Sequence, residues 1–245
     1  MKNCKEIYLI GPSQSKVGMD VEILKGKTTL SFSGDLGWFN DVDIYPTYWT
    51  FFDPNSTSYI FDRFKSNRYN IDWFNGLKEH SNLLYNDFQG TDKFYDEGFT
   101  TSRGKDWNRN EFGGDILPIL STIFKDTITV PTTVCTNNYS SFYLEDTKHM
   151  TPIVKHERGI NSDKLSCFIL PLVLSYFTEV ETIKCIGFGD FNSPRLYNGL
   201  ALGYEGYKLS YNRMKTQLID LLRHKGASIE FLNKDSYFKE LEWKK

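Results

Sequence analysis

Two junctions, each an apolar run ending in a turn, carry residues suited to holding a phosphate or a nucleotide. The first is Gly11-Pro12-Ser13, which follows the apolar residues 7–10. Glycine permits a tight bend, and serine hydroxyls and turn N–H groups bind phosphate well where the dipole of a following helix favours negative charge. The second follows residues 183–186 and contains Gly187 and Asp190. In a parallel sheet both junctions would line one crevice at the carboxyl edge. A plain bend after a buried strand is the alternative for the first junction.

The elements that must position these junctions alternate between strands and helices. Apolar, β-branched and aromatic runs predict strands at residues 6–10, 27–32, 47–52, 82–85, 127–130 and 228–232. Helices are predicted around residues 19–24 and over 164–177 and 204–224. Pro171 predicts a kink or a late start in the second of them. This alternation predicts an α/β fold, with a Rossmann-like, mainly parallel sheet and helices on both faces.

Length and composition describe one globular domain. The chain has 245 residues, of which 40% are hydrophobic and 24% charged, and these values suit a single α/β domain over residues 1–245. Two polar stretches, residues 88–110 and 132–158, do not fit a minimal fold, so a polar lid insertion is predicted there. The net charge of -2 argues against a dedicated nucleic-acid binder.

The cysteines and the apolar runs bear on the cellular compartment. Cys4, Cys135, Cys167 and Cys185 form no C-x-x-C pair, which favours a reducing compartment. Residues 1–5 are polar and charged, unlike a signal peptide. The longest apolar stretch, residues 167–177, is too short for a transmembrane segment. A cytoplasmic location is therefore predicted.

Four short motifs follow one another between residues 5 and 192 in a recognisable order. They are Gly11-Pro12-Ser13, then Asp53-Pro54-Asn55 after a strand, then Asn161-Ser162-Asp163 before an apolar helix, and finally a strand ending in Gly187, Asp190 and Phe191. This order resembles that of bacterial lipo-oligosaccharide sialyltransferases and the related motility-accessory-factor glycosyltransferases. Their corresponding motifs are G-N-G-P-S, a strand followed by Asn/Asp-Pro, Ile-Thr-Ser-Gly before an apolar helix, and a strand ending in Gly-x-Asp-Phe.

The resemblance implies a sugar transfer from a nucleotide-activated donor to a glycan or protein hydroxyl. It also implies that the donor binds without an obligatory cofactor or metal ion. By the same resemblance the donor would be bordered by Gly11, Pro12, Ser13, Ser33, Gly34, Asp35, Asp53, Asn55, Asn161, Ser162 and Phe191.

Such a transfer needs a base for the acceptor hydroxyl and cations for the leaving phosphate. The candidates for the base are Asp190, His156 and His149, although Asp190 could instead cap a helix and each histidine could be a solvated surface residue. Arginine makes bidentate contacts to phosphate. The candidates for a phosphate clamp are Arg103, Lys105, Arg109, Arg158 and Arg195, with a solvated charged loop as the alternative for the first three.

Two departures from the family pattern support other functions. Ile10 stands where G-N-G-P-S has Asn, and His224 is the only histidine after the Gly-x-Asp-Phe position, where the family has its base. The alternative is therefore a non-catalytic nucleotide- or glycan-binding module that has lost its base. A further alternative is an interaction protein whose aromatic surface binds glycans.

Two motifs of other enzyme classes are interpreted as fortuitous. Asp41-Val42-Asp43 spells a metal-binding D-x-D, but it precedes a predicted strand instead of following one. It is predicted to be a surface loop, and a divalent cation is not expected. The run from Gly11 to Lys16 imitates a phosphate-binding P-loop but lacks the second glycine before the lysine. This argues against an NTPase.

Overall fold

The computed structural model describes residues 3–32, 35–50, 70–86, 120–130, 133–135, 141–143, 169–189, 215–216 and 218–243. The strands are β1 (Glu6–Ile10), β2 (Thr28–Phe32), β3 (Tyr48–Thr50), β4 (Asn82–Asn86), β5 (Thr127–Val130), β6 (Thr133–Cys135), β7 (Ser141–Tyr143), β8 (Thr182–Ile186) and β9 (Ser228–Phe231). The helices are α1 (Leu36–Asp41), α2 (Ile71–His80), α3 (Leu170–Tyr176) and α4 (residues 218–225). Short 3-10 helices cover Gln14–Lys16, Val21–Leu24 and Tyr237–Leu241.

Seven of these strands form one parallel sheet in the order β5-β4-β3-β2-β1-β8-β9. β1 lies inside the sheet, between β2 and β8. Its residues 7–10 are all buried, as expected for a parallel strand that is covered on both faces. The predicted α/β, Rossmann-like class is confirmed.

Two apolar clusters, one on each face of the sheet, form the core. One contains Leu9 of β1 together with Val173 of α3 and Leu222 of α4. The other contains Ile10 of β1 together with Trp38 of α1 and Trp73 of α2. Because neighbouring β1 residues point to opposite faces, each cluster takes alternate side chains of the strand. The prediction of helices on both faces is therefore confirmed.

The element boundaries agree with the sequence for some elements and differ for others. β1 and β5 have the predicted bounds, whereas the helix predicted around residues 19–24 is the 3-10 turn Val21–Leu24. α1 and α2 were not predicted. α1 is short, and only Trp73 and Leu77 of α2 are buried, so its apolar stripe is too thin for a periodicity signal.

The predicted irregular region 132–158 contains regular structure. β6 and β7 lie in it and pair as antiparallel strands, through Thr133 with Tyr143 and Cys135 with Ser141. The other lid candidate, residues 88–110, lies outside the described residues. Among the helices in the described part of the chain, none is both long and apolar enough to cross a membrane.

Candidate functional site

The sheet changes its direction of growth at β1. Strands β2 to β5 lie on one side of β1 in chain order, while β8 and β9 lie on the other. Such a switch point is where open α/β sheets bind ligands, in a crevice outside the carboxyl ends of the strands. Gly11 directly follows β1 and Gly187 directly follows β8. The structure thus brings the two junctions singled out in the sequence to one place.

Gly11 and Gly187 touch through their backbones. The Gly11 N–H donates to Ile186 O at 2.7 Å, and the Ser13 N–H donates to Gly187 O at 2.9 Å. A Cβ on Gly11 would lie 2.6 Å from Gly187 O, and one on Gly187 would lie 2.5 Å from Gly11 O. Gly187 also has φ 74, a conformation that side chains disfavour. Both positions therefore require glycine.

Ser13 caps the 3-10 turn that follows this contact. Its side chain is buried, and its Oγ accepts a hydrogen bond from the Ser15 N–H at 3.2 Å. The hydroxyl oxygen and the Ser13 N–H are thus used within the protein. Pro12 is half-buried, so it presents the turn toward the surface. That Gly11, Pro12 and Ser13 border a nucleotide stays a prediction.

A buried ion pair joins the β1 turn to the start of α1. The Lys16 ammonium lies 2.7 Å from Asp35 Oδ1 and also donates to Gly11 O. The side chains of Lys16 and Asp35 are only 0% and 1% exposed. The ammonium lies 5.6 Å from the centre of the Trp38 ring, within range of a cation–π contact.

Burial lowers the pKa of Lys16, and the nearby Asp35 carboxylate partly opposes this effect. A buried ammonium is costly unless it is paired and hydrogen-bonded. The Asp35 carboxylate and the Gly11 carbonyl supply that compensation. Asp35, predicted to approach the donor, therefore binds the Lys16 ammonium in this structure.

The side chain of Asn233 forms hydrogen bonds that connect three loops at the carboxyl edge of the sheet. Asn233 follows β9, and its Oδ1 accepts hydrogen bonds from the Gly187 N–H at 2.6 Å and the Phe188 N–H at 3.3 Å. Its Nδ2 donates to Ser15 O at 3.0 Å. One side chain thus holds the turns after β1 and β8 against the end of β9.

Two buried hydroxyls lie on the neighbouring strands. Within the described residues, Ser31 Oγ on β2 and Thr50 Oγ1 on β3 are buried without a hydrogen-bond partner. Ser31 is in register with Ile10, the last residue of β1. Most buried hydroxyls are hydrogen-bonded, so these two mark polar positions close to the carboxyl edge.

Many of the predicted site residues lie outside the described residues and stay predictions. They are Asp190, His156 and His149 for the base; Ser33, Gly34, Asp53, Asn55, Asn161, Ser162 and Phe191 for the donor; and Arg103, Lys105, Arg109, Arg158 and Arg195 for the phosphates. Asp41 and Asp43 are described, and both are exposed, but Asp41 is the last residue of α1, so the predicted surface loop begins only after the helix. Within the described ranges no three His, Cys, Asp or Glu side chains are grouped to hold a metal ion.

Two residues of this edge were not anticipated in their observed roles. In the sequence Lys16 is only the lysine of an incomplete P-loop, and its pairing with Asp35 carries no sequence signal beyond the two opposite charges. Asn233 lies in a polar stretch after the last predicted strand and is separated from Ser15 by 218 positions. No local pattern could have revealed that contact.

No family model matches the chain. No curated protein sequence matches it either. Among solved structures, it is similar to the MAf glycosyltransferase from Magnetospirillum magneticum AMB-1, with a TM-score of 0.46 and 8% sequence identity. The similarity covers 96% of this chain and 35% of that protein, so the chain spans about a third of the other's length.

Proposed function

We propose that this protein is a glycosyltransferase that moves a sugar from a nucleotide-activated donor to a glycan or protein hydroxyl. The observation that carries the proposal is the meeting of Gly11-Pro12-Ser13 with Gly187 at the switch point of the parallel sheet. Gly11-Pro12-Ser13 is the first motif of the resemblance to the sialyltransferases and motility-accessory-factor enzymes, and Gly187 is the first residue of the last motif. The fold thus joins segments that sequence order alone leaves far apart, at the place where open α/β sheets bind ligands.

The charged residues at the carboxyl edge of the sheet bear on how the donor phosphate would be bound. The ammonium of Lys16 is buried and paired with Asp35, so its charge is already compensated inside the protein. The donor would lie against the half-buried Pro12 side of the turn. The negative charge on its phosphate would then be balanced by the clamp candidates Arg103, Lys105, Arg109, Arg158 and Arg195, of which the arginines suit bidentate contact.

The proposed reaction is a displacement at the anomeric carbon of the donor sugar. The oxygen of the acceptor hydroxyl forms a bond to that carbon while a base takes the hydroxyl proton. The base would be Asp190, or else His156 or His149. The bond from the carbon to the phosphate oxygen breaks, and the nucleotide leaves with the electron pair. The clamp residues would stabilise the charge that develops on the departing phosphate. A sialyl donor linked to a nucleoside monophosphate is the finer form of this proposal.

Nucleotide binding is the first test. The purified chain is titrated with CMP, UDP and GDP while its unfolding temperature is followed, because a ligand that binds only the folded state raises that temperature. We expect one nucleotide to raise the unfolding temperature by about 5–11 °C at about 100 times its Kd, where binding contributes about 2.7 kcal/mol. Absence of a shift with all three would contradict the proposed donor site.

Hydrolysis of the matching sugar nucleotide tests catalysis. Asp190→Asn is compared with the wild type, and we expect about a 10²- to 10⁴-fold lower rate if this residue is the base. Glu22→Gln is the control, because Glu22 forms an exposed ion pair with Lys25 away from the proposed site. Equal rates in wild type and Asp190→Asn would contradict the assignment, and His156→Asn and His149→Asn would then be measured in the same way.

One observation favours the alternative of a binding module without catalysis. Ile10, at the position of the family's Asn, is fully buried in the apolar cluster with Trp38 and Leu36. Its side chain therefore contributes to the core and has no polar group for a donor. Nucleotide binding without any donor hydrolysis would support this alternative over the transferase.

A further inference from the structure

We propose that Lys16 is a positioning residue, whose ammonium holds the turn after β1 in the one arrangement against which the donor would bind. This inference rests on the proposed function. Lys16 itself is fully buried, so its ammonium would not touch the donor. Its role would be carried out through the backbone of Gly11 and through the contact between Gly11 and Gly187.

The contacts of the ammonium connect two elements. One N–H donates to Gly11 O, at the end of β1, and another to Asp35 Oδ1, immediately before α1. The ammonium also lies near the ring of Trp38, which is part of α1. Lys16 thus joins the carboxyl end of β1 to the helix that follows β2.

The stem of the same side chain is packed against the second junction. The Cδ of Lys16 would lie 3.1 Å from a Cβ placed on Gly187, so methylene groups of the lysine line that glycine. The Gly11 carbonyl oxygen that accepts from the ammonium is also the atom nearest to a Cβ placed on Gly187, at 2.5 Å. A displacement of Lys16 would therefore move both the turn after β1 and the turn after β8.

Stability alone is a poor reason for such a pair. The free-energy cost of removing two charges from water cancels much of their mutual attraction. Well-packed apolar residues of similar volume often stabilise a fold at least as much as a buried ion pair. What the ion pair supplies beyond packing is a restraint on distance, because a buried ammonium must keep both the Gly11 carbonyl and the Asp35 carboxylate within hydrogen-bond reach. Such a restraint on the Gly11 carbonyl is what a fixed binding turn requires.

Amide hydrogen exchange of the ligand-free protein tests the restraint. Lys16→Met leaves the Asp35 carboxylate buried without its ammonium and could prevent folding, so the decisive variant is Lys16→Met with Asp35→Asn, which removes both charges. We expect the amides of Gly11 and Ser13 to exchange about tenfold faster in the double variant. The amide of Leu83, which donates to Asp126 O at 2.8 Å on the far side of the sheet, should keep its wild-type rate.

The control is Lys25→Met, since Lys25 is 67% exposed and pairs with Glu22 on the surface. It should leave all three amides unchanged. Equal acceleration at Leu83 and at the turn would show that Lys16 only stabilises the fold, and this result would overturn the proposal. Unchanged exchange at Gly11 and Ser13 in the double variant would overturn it as well.

Binding of CMP, UDP and GDP completes the test. For the nucleotide that binds the wild type, Kd should rise about tenfold in the double variant and stay constant in Lys25→Met. An unchanged Kd would overturn the positioning role. If the wild type binds none of the three nucleotides, the proposed function fails, whereas the exchange rates still decide whether Lys16 holds the turn.

Discussion

Gly11 and Gly187 are packed so closely that neither can carry a side chain while the other keeps its place. A Cβ on either residue would come within 2.6 Å or less of the carbonyl oxygen of the other. The two residues follow β1 and β8, the strands on either side of the switch point. The backbone of the proposed donor site is therefore fixed by glycine at two positions distant in sequence.

The first prediction concerns substitution of these glycines. Gly187→Ala should lower the free energy of unfolding in urea by about 2–5 kcal/mol, because the positive φ and the forced contact both add strain. Gly26→Ala is the matched control, since Gly26 has φ 69 but open space around its Cβ position. It should lose only about 1–2 kcal/mol. Equal losses in the two variants would mean that the contact with Gly11 adds nothing.

The second prediction concerns Asn233. Asn233→Ala removes its hydrogen bonds to Gly187, Phe188 and Ser15, leaving their backbone groups without these partners. We expect a loss of about 1–3 kcal/mol in urea unfolding. Asn82→Ala is the comparison, because Asn82 makes a single side-chain bond to Thr47 O at 3.2 Å at the opposite edge of the sheet. Weaker nucleotide binding should accompany only Asn233→Ala, and similar binding by both variants would speak against a role for Asn233 in the site.

The third prediction concerns acid stability. The bond from Lys184 at 2.9 Å lowers the pKa of Glu6 below 4.5; burial opposes this effect, and Lys27 adds a smaller lowering. A lowered pKa in the folded state means a stabilising contribution that is present above pH 4.5 and lost as the pH falls through the folded pKa. The stability difference between the wild type and Glu6→Gln should therefore shrink in acid.

Urea unfolding of both proteins between neutral and acidic pH measures this difference. Glu22→Gln serves as the control for removal of a carboxylate from an exposed ion pair. A difference between the wild type and Glu6→Gln that stays constant with pH would show that the contact with Lys184 does not favour the ionised form of Glu6.

The fourth prediction concerns the reactivity of Cys185. Burial raises the pKa of this thiol well above its ordinary value, with a smaller contribution from the Glu242 carboxylate. The thiolate is the reactive form, so iodoacetamide at pH 8 should label Cys185 only after unfolding. Peptide mass spectrometry with and without urea measures the labelling. Labelling in native buffer as fast as in urea would contradict the burial of this side chain.

Much of the sheet could be predicted from the sequence because buried parallel strands are continuous apolar runs. β1 was predicted over its observed residues, and its end is marked by Gly11 and Pro12. The parallel class followed from the alternation of strands and helices. The short helix α1 could not be predicted because its six residues include Gly37 and Asn40 and show no helical periodicity of apolar residues.

The contacts inside the candidate site could not be predicted in the same way. A lysine six residues after β1 is normally a solvated residue, and nothing in the local sequence indicates that Lys16 is buried against Asp35. The role of Asn233 likewise exists only once β9 is placed beside β8. Long-range contacts of single polar residues leave no periodic trace in a sequence.

The pairing of β1 with β8 also has a consequence for the order of folding. The side chain of Asn233 reaches back across 218 positions to Ser15, and β1 gains its β8 neighbour only after most of the chain has been synthesised. Loop closure over such distances is slow, and until then one side of β1 is an unpaired strand edge. We expect the switch point to be among the last parts of the sheet to form, so that conditions favouring premature association of unpaired strands would lower the yield of folded protein.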